Sequence, residues 1–240
     1  MRPVHRGLSP KSHDFVNYRD ALSELVSRLG PYCSYCERMI VTQLAVEHIQ
    51  PKALPQYAAL EGRWENFLLA CVNCNSTKKD KDFALPNTLL PDRDNTFAAY
   101  QYTADGVVKP VFNGVAMRDA QALLKLVGLD KAISKARDSN GKLVAIDRVA
   151  QRMEAWACAE EAKAAVNGSP HYAKVRELAV KLAAKSGFFC VWMAVFDGDA
   201  HMRSRFIDAF SGTQRGCFDA STRPISPCPN PDGLPHGGKV

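Results

Sequence analysis

Long apolar runs are missing from this chain: the longest unbroken one, Phe188–Phe196, has nine residues, about half of what a membrane-spanning helix requires. No charged-then-apolar leader stands in residues 1–10, so the chain reads as a cytoplasmic protein with no membrane partner. Neither sign of charge dominates. Against 25 Asp and Glu there are 31 Lys and Arg, a net charge of +6, which leans toward polyanions too mildly to identify a nucleic-acid binder by itself. No internal repeat is present. The chain has eight cysteines, but in a reducing compartment these are not a disulfide framework. At 240 residues with 46% hydrophobic content, there is room for a real apolar core, in one large domain or two small ones.

Four of the cysteines form two close pairs. Cys33-Ser-Tyr-Cys36 and Cys71-Val-Asn-Cys74 are both C-x2-C, with 34 residues between them. In such a knuckle two thiolates meet one ion while turn amides donate to the sulfurs, and two knuckles complete a tetrahedral four-cysteine zinc site. Zinc held in this way is structural, because thiolates fill all its positions and leave none for water. Cys158, Cys190, Cys217 and Cys228 are scattered and read as plain core or surface thiols.

The chain around this frame reads as α+β. Apolar residues at Phe15, Tyr18, Leu22, Leu25 and Leu29 predict an N-terminal helix, with Ser12 as N-cap and Gly30-Pro31 as its stop. The β-branched segment Arg38–Glu47 predicts a strand or short hairpin ended by Pro51. Trp64–Lys81 reads as a loop running into a helix. Alternating aromatics around Asp105-Gly106 give a second β signal. From about Ala116 the pattern is helical, broken at Gly128. It resumes through Leu143, Ile146, Val149, Met153 and Trp156, and again over 173–184, while periodicity leaves Phe188–Phe196 open between strand and helix. Residues 223–240, rich in proline and glycine, are expected to be disordered.

The insert between the knuckles carries the chemistry-bearing side chains: Glu47-His48 at the end of the β segment, Trp64-Glu65-Asn66 before the second knuckle, and Asn75 through Lys81 after it. In this order and spacing, Cys33–Lys81 resembles the HNH (ββα-metal) endonucleases, in the branch written C-x2-C, E-H, W-x-N, C-x2-C-N-x2-K. Two positions depart from the commonest pattern: Glu47 stands where an Asp often precedes the His, and Asn75 where a second His often stands. Both retain an oxygen ligand, which favours Mg2+ or Mn2+ there over a second zinc. The resemblance implies that Glu47 and Asn75 hold one catalytic cation, that His48 is the general base, and that Asn66 fixes the orientation of His48. Lys52, Lys78, Lys79 and Lys81 become candidate phosphate contacts. Successive residues of a regular strand face opposite ways, so Glu47 and His48 share one site only if the strand breaks there.

The resemblance extends more weakly into Tyr100–Asp130, which looks like the nuclease subunit of Septu-type and retron-linked anti-phage systems, where an ABC/SMC-like ATPase is the partner. It implies four regions: an N-terminal helix and arm (1–30), the nuclease core (31–90), a β-hairpin and helical part for partner docking or substrate support (91–222), and the tail (223–240). DNA is the first-choice substrate and RNA the second. Two other readings stand beside it: a non-catalytic zinc module that binds nucleic acid or a partner protein, and a toxin-like RNase acting on tRNA. A rival metal cluster at Asp197-Gly198-Asp199-Ala200-His201 reads more simply as a turn with carboxylates capping a helix.

Overall fold

The structure, a computed structural model, describes residues 1–131, 139, 147–169, 171 and 173–240. The chain is α+β, with two small antiparallel sheets set among helices. Asn17 caps the first helical segment by accepting from Arg19 N (3.1 Å). A 3-10 turn (Tyr18–Ala21) runs on into α1 (Leu22–Leu29), which Gly30 ends in the left-handed region at φ 73°. The expected helix is therefore shorter than its periodicity, and Ser12 is not its cap. Phe15 lies outside the helix, where its amide donates to Gly62 O (2.9 Å) and its ring stacks on Trp64.

The centre of the molecule is a ββα unit. Strands β1 (Ala45–His48) and β2 (Phe67–Ala70) pair antiparallel, with Ala45 opposite Ala70 and His48 opposite Phe67. All four residues of β2 are buried, which is why Phe-Leu-Leu-Ala lacks the alternation that marks a half-exposed strand. Helix α2 (Val72–Lys78) follows at once, its N-terminus capped by Cys71, and packs across β1. The N-terminal arm is bound along the outer side of this unit: Arg6 donates to Phe67 O (2.6 Å), Glu65 O (2.9 Å) and Asp92 Oδ2 (2.9 Å), all in the interior or close to it.

A short helix α3 (Thr96–Ala99) leads into the hairpin of β3 (Tyr100–Tyr102) and β4 (Val108–Pro110), around the Asp105-Gly106 turn. Helix α4 (Gly114–Val127) ends at Gly128 in the left-handed region, a conformation that costs glycine nothing. The remaining helices are α5 (Arg148–Gly168), α6 (Ala173–Ser186), α7 (Phe189–Val195) and α8 (Ala200–Ala209). The ambiguous run Phe188–Phe196 is thus a buried helix, and its Phe189, Trp192 and Phe196 rings join Phe206 and Phe210 in the core. Leu143 and Ile146, which began the predicted helical stretch, lie outside the described residues; α5 takes up the pattern from Val149 onward. No helix among the described residues is long and apolar enough to cross a membrane.

Residues 223–240, expected to be loose, are packed down instead. Cys228, Leu234 and Val240 are buried, and Val240 O accepts from both Cys228 N (2.8 Å) and Asn95 N (3.1 Å). Lys239 pairs with buried Asp94 (3.0 Å), and Arg93 donates to Pro235 O (3.0 Å). Composition argued for disorder because the tail has little to bury by itself. What holds it is a set of interior polar groups at 93–95 that need its backbone as partner.

Candidate active site and metal centre

Both knuckles arise from abrupt changes of direction. After α1 stops at Gly30, Cys33 N donates to Arg38 O (3.0 Å) and Glu37 N to Cys33 O (2.9 Å), closing a tight turn through Glu37 at φ 64°. The second knuckle is the β2–α2 junction, where Cys71 Sγ accepts from Cys74 N (3.5 Å). The four sulfurs are buried and lie within 4.8 Å of one another. Cys36 and Cys71 Sγ are 3.6 Å apart and all four cysteines are free. Sulfurs on a tetrahedral zinc with bonds of about 2.3 Å stand about 3.8 Å apart, so the group has the dimensions of a four-thiolate metal site. Burial pushes the Cys33 thiol far up. Four thiols this close in the interior cannot all ionise without a cation among them.

The second centre lies at the far end of β1. A cavity of about 300 Å³ is lined by Tyr18, Val46, Glu47, His48, Pro51, Lys52, Ala53, Asn75, Lys79 and Asp80. Glu47 and His48 thus reach one cavity. His48 is the last residue of β1, and the chain turns away toward Pro51, so the opposite-face rule no longer governs it.

The surroundings of His48 define its chemistry. Its Nε2 is 2.9 Å from Glu61 O, a partner that can only accept, so Nε2 carries the proton and Nδ1 of the neutral ring is left as the acceptor. The ring is wedged edge-on between Tyr18 (4.8 Å) and Phe67 (5.2 Å). Burial holds its pKa below the ordinary 6.5, the Glu61 carbonyl opposing and the Lys52 ammonium reinforcing that shift. The hydrogen bonds of the Asn66 side chain go to backbone near His48 and not to its ring. The side chain accepts from Gln50 N (2.8 Å) and donates to Gln50 O (3.0 Å) and Leu60 O (3.3 Å). It thereby ties the segment after His48 to the backbone that presents the Glu61 carbonyl, an indirect way of orienting the ring.

Lys78 corrects the expectation of a phosphate contact. It is 1% exposed; its Nζ lies 2.9 Å from Glu47 Oε1 and donates to His48 O (2.7 Å). α2 packs on β1, which turns inward a lysine that helical spacing from Asn75 places beside the site. Burial pushes the Glu47 carboxyl up, with Lys78 opposing. Oε1 of Glu47 is buried and has the Lys78 ammonium as its partner. Lys79 and Lys81 are exposed, and Lys79 reaches the cavity. Lys52 also lines it, paired with Glu61 (2.5 Å) and lying 4.3 Å from the centre of the Tyr18 ring.

For a hard divalent cation the donor set fits. The carboxylate of Glu47 and the oxygen-bearing side chain of Asn75 line the same space. Asp80 adds a carboxylate at that cavity that sequence reasoning passed over; Tyr18 and the Glu61 carbonyl were missed as well, since nothing local ties them to His48. The rival cluster has resolved as a cap: Asp199 accepts from Met202 N (2.9 Å) at the start of α8, and Asp197 pairs with Arg203 (2.6 Å).

A family model for HNH endonuclease matches residues 33–81, the stretch that contains both knuckles, the ββα unit and the lysines after it. The segment therefore carries the features of an HNH endonuclease domain, a family typically made of nucleases. None of the curated proteins matches this chain.

Proposed function

We propose that this chain is a divalent-metal-dependent HNH endonuclease that hydrolyses phosphodiester bonds in nucleic acid. The observation that carries the reading is the convergence of Glu47, His48 and Asn75 on one cavity, beside a four-cysteine group suited to structural zinc. In this mechanism His48 Nδ1 takes the proton from the attacking water while Nε2–H stays on the Glu61 carbonyl. Asn66 keeps that carbonyl and the chain after His48 in register, and Lys78 holds the Glu47 carboxylate and the end of β1 in place. A Mg2+ or Mn2+ ion held by Glu47 and Asn75 would supply Lewis-acid stabilisation of the pentavalent phosphorus and the leaving oxygen. Lys79, Lys81 and Lys52 are the cations left to meet phosphates.

DNA is the proposed substrate, with RNA, tRNA included, as the alternative, because attack at phosphorus does not read the 2′ position. The proposed setting is cytoplasmic anti-phage defence with an ABC/SMC-like ATPase subunit. Support for a docked partner comes from the resemblance of Tyr100–Asp130 and from Leu178 and Leu182, 54% and 44% exposed one turn apart on α6. The test compares wild type with His48→Ala on plasmid, single-stranded DNA and tRNA in Mg2+ or Mn2+, at equal bound zinc. Cutting confined to the wild type is expected. Equal cutting by both would move the active site elsewhere, and no cutting by either, with ATPase partners present, would favour a binding module.

A further inference from the structure

The four cysteines are met from outside by two arginines. Arg148, the first residue of α5, donates through Nη1 to Cys74 Sγ (3.1 Å) and to Val127 O (2.8 Å), and through Nη2 to Gly128 O (2.6 Å). Arg38, just after the first knuckle, donates through Nη2 to Cys71 Sγ (3.2 Å) and Asn73 Oδ1 (2.8 Å). Its Nη1 donates to Gln151 Oε1 (3.1 Å), one turn into α5. Both sulfurs of the second knuckle thus accept from a guanidinium, and both guanidiniums are fastened to the first turn of the same helix.

Charge explains the pairing. Four thiolates around one divalent cation leave two negative charges uncompensated in the interior, and Arg38 and Arg148 supply two positive ones. Guanidinium-to-thiolate bonds are charge-assisted, whereas a protonated thiol is a weak acceptor. Without the metal-bound thiolates, each arginine loses its one charged acceptor and keeps only neutral ones, Asn73 and Gln151 for Arg38 and the Val127 and Gly128 carbonyls for Arg148. The Nε of Arg38 is buried without a hydrogen-bond partner.

We propose that Arg38 and Arg148 form a guanidinium clamp on the metal-bound thiolates, so that the ion stapling the knuckles also fastens α5, and through it the helical half, to the nuclease core. The proposal rests on the zinc reading of the cysteines and is independent of the cleavage reading. It also places α5 and the catalytic cavity in contact with one helix: α2 presents Cys74 to Arg148 and Asn75 to the cavity. The two arginines are positioning residues; neither touches the cavity.

The test follows zinc loss from the full chain to a chromophoric chelator, for wild type, Arg38→Met, Arg148→Met and Arg148→Lys. Loss of an outer-shell partner commonly costs about 10–100-fold in metal affinity, so both Met variants should release zinc at least about tenfold faster, with Arg148→Lys in between. Amide exchange of the wild type is the second readout: removing zinc should deprotect residues 148–152 together with α2. Should Arg148→Met fail to fold, Arg38→Met and this exchange experiment decide. Release at the wild-type rate from a folded Met variant would overturn the clamp, as would an α5 first turn that stays protected after zinc is gone. A wild type that takes up no zinc overturns it too, and the cleavage assay would show separately whether the nuclease reading survives.

Discussion

The two centres of this molecule flank α2 and share almost no design. At the knuckles, four soft sulfurs are buried together, met by one backbone amide and two arginines. At the end of β1, oxygen donors and an imidazole border an open cavity of about 300 Å³. A metal site closed by its ligands can only hold structure, whereas one that leaves room for water and substrate can do chemistry. The helix between them serves both, supplying Cys74 to one centre and Asn75 and Lys78 to the other.

That contrast can be broken first at its stronger end. Replacing Cys36 by Ser should abolish tight metal binding and native folding, read by metal content and circular dichroism. Structural zinc contributes on the order of 10 kcal/mol in small domains, comparable with the whole stability of a typical domain. A folded, metal-free Cys36→Ser protein would mean that the staple is dispensable.

Lys78→Met comes next. It leaves the Glu47 carboxylate buried without its cation, a change that costs roughly 3–5 kcal/mol where the charge persists. Denaturant unfolding should therefore show a clear loss, while the salt dependence of nucleic-acid binding stays as in wild type. The reverse pattern, full stability with a shallower salt slope, would restore Lys78 as a phosphate contact.

Asn66→Ala should cost about 2 kcal/mol for the polar groups of Gln50 and Leu60 that it orphans. Cleavage should fall further than that stability loss explains, because the Glu61 carbonyl loosens against His48. Unchanged turnover in a folded variant would remove Asn66 from the positioning scheme.

The smallest effect is expected at Lys79→Ala. This exposed residue lies at the cavity, and its removal should leave melting unchanged and lower the salt slope of binding by about one. An unchanged slope would make Lys79 a merely solvated lysine.

Much of the site was legible because its parts are local. Two C-x2-C pairs carry their own geometry, and Glu47-His48 sits at a strand end that Pro51 announces. What was not legible depends on tertiary neighbours. β2 was read as loop because a strand buried on both faces loses its alternation. Lys78 reads as a phosphate contact from the resemblance and its spacing after Asn75, whereas the packing of α2 on β1 decides which way it points. The arginines on the thiolates lie more than a hundred residues apart in sequence, and the acceptor of His48 is a backbone carbonyl, so no residue type could signal either. The tail misled for the complementary reason: its composition says what it cannot bury, not which interior groups require its backbone.

The most direct test of the central claim is to separate the two metals. The full chain would be loaded with zinc, stripped of loosely held ions with a mild chelator, and assayed on DNA and RNA before and after Mg2+ or Mn2+ is added. The account predicts one tightly held zinc throughout, no cutting after stripping, and cutting restored by the added ion with zinc content unchanged. Full cleavage by the stripped zinc protein would contradict the division of labour between the two centres.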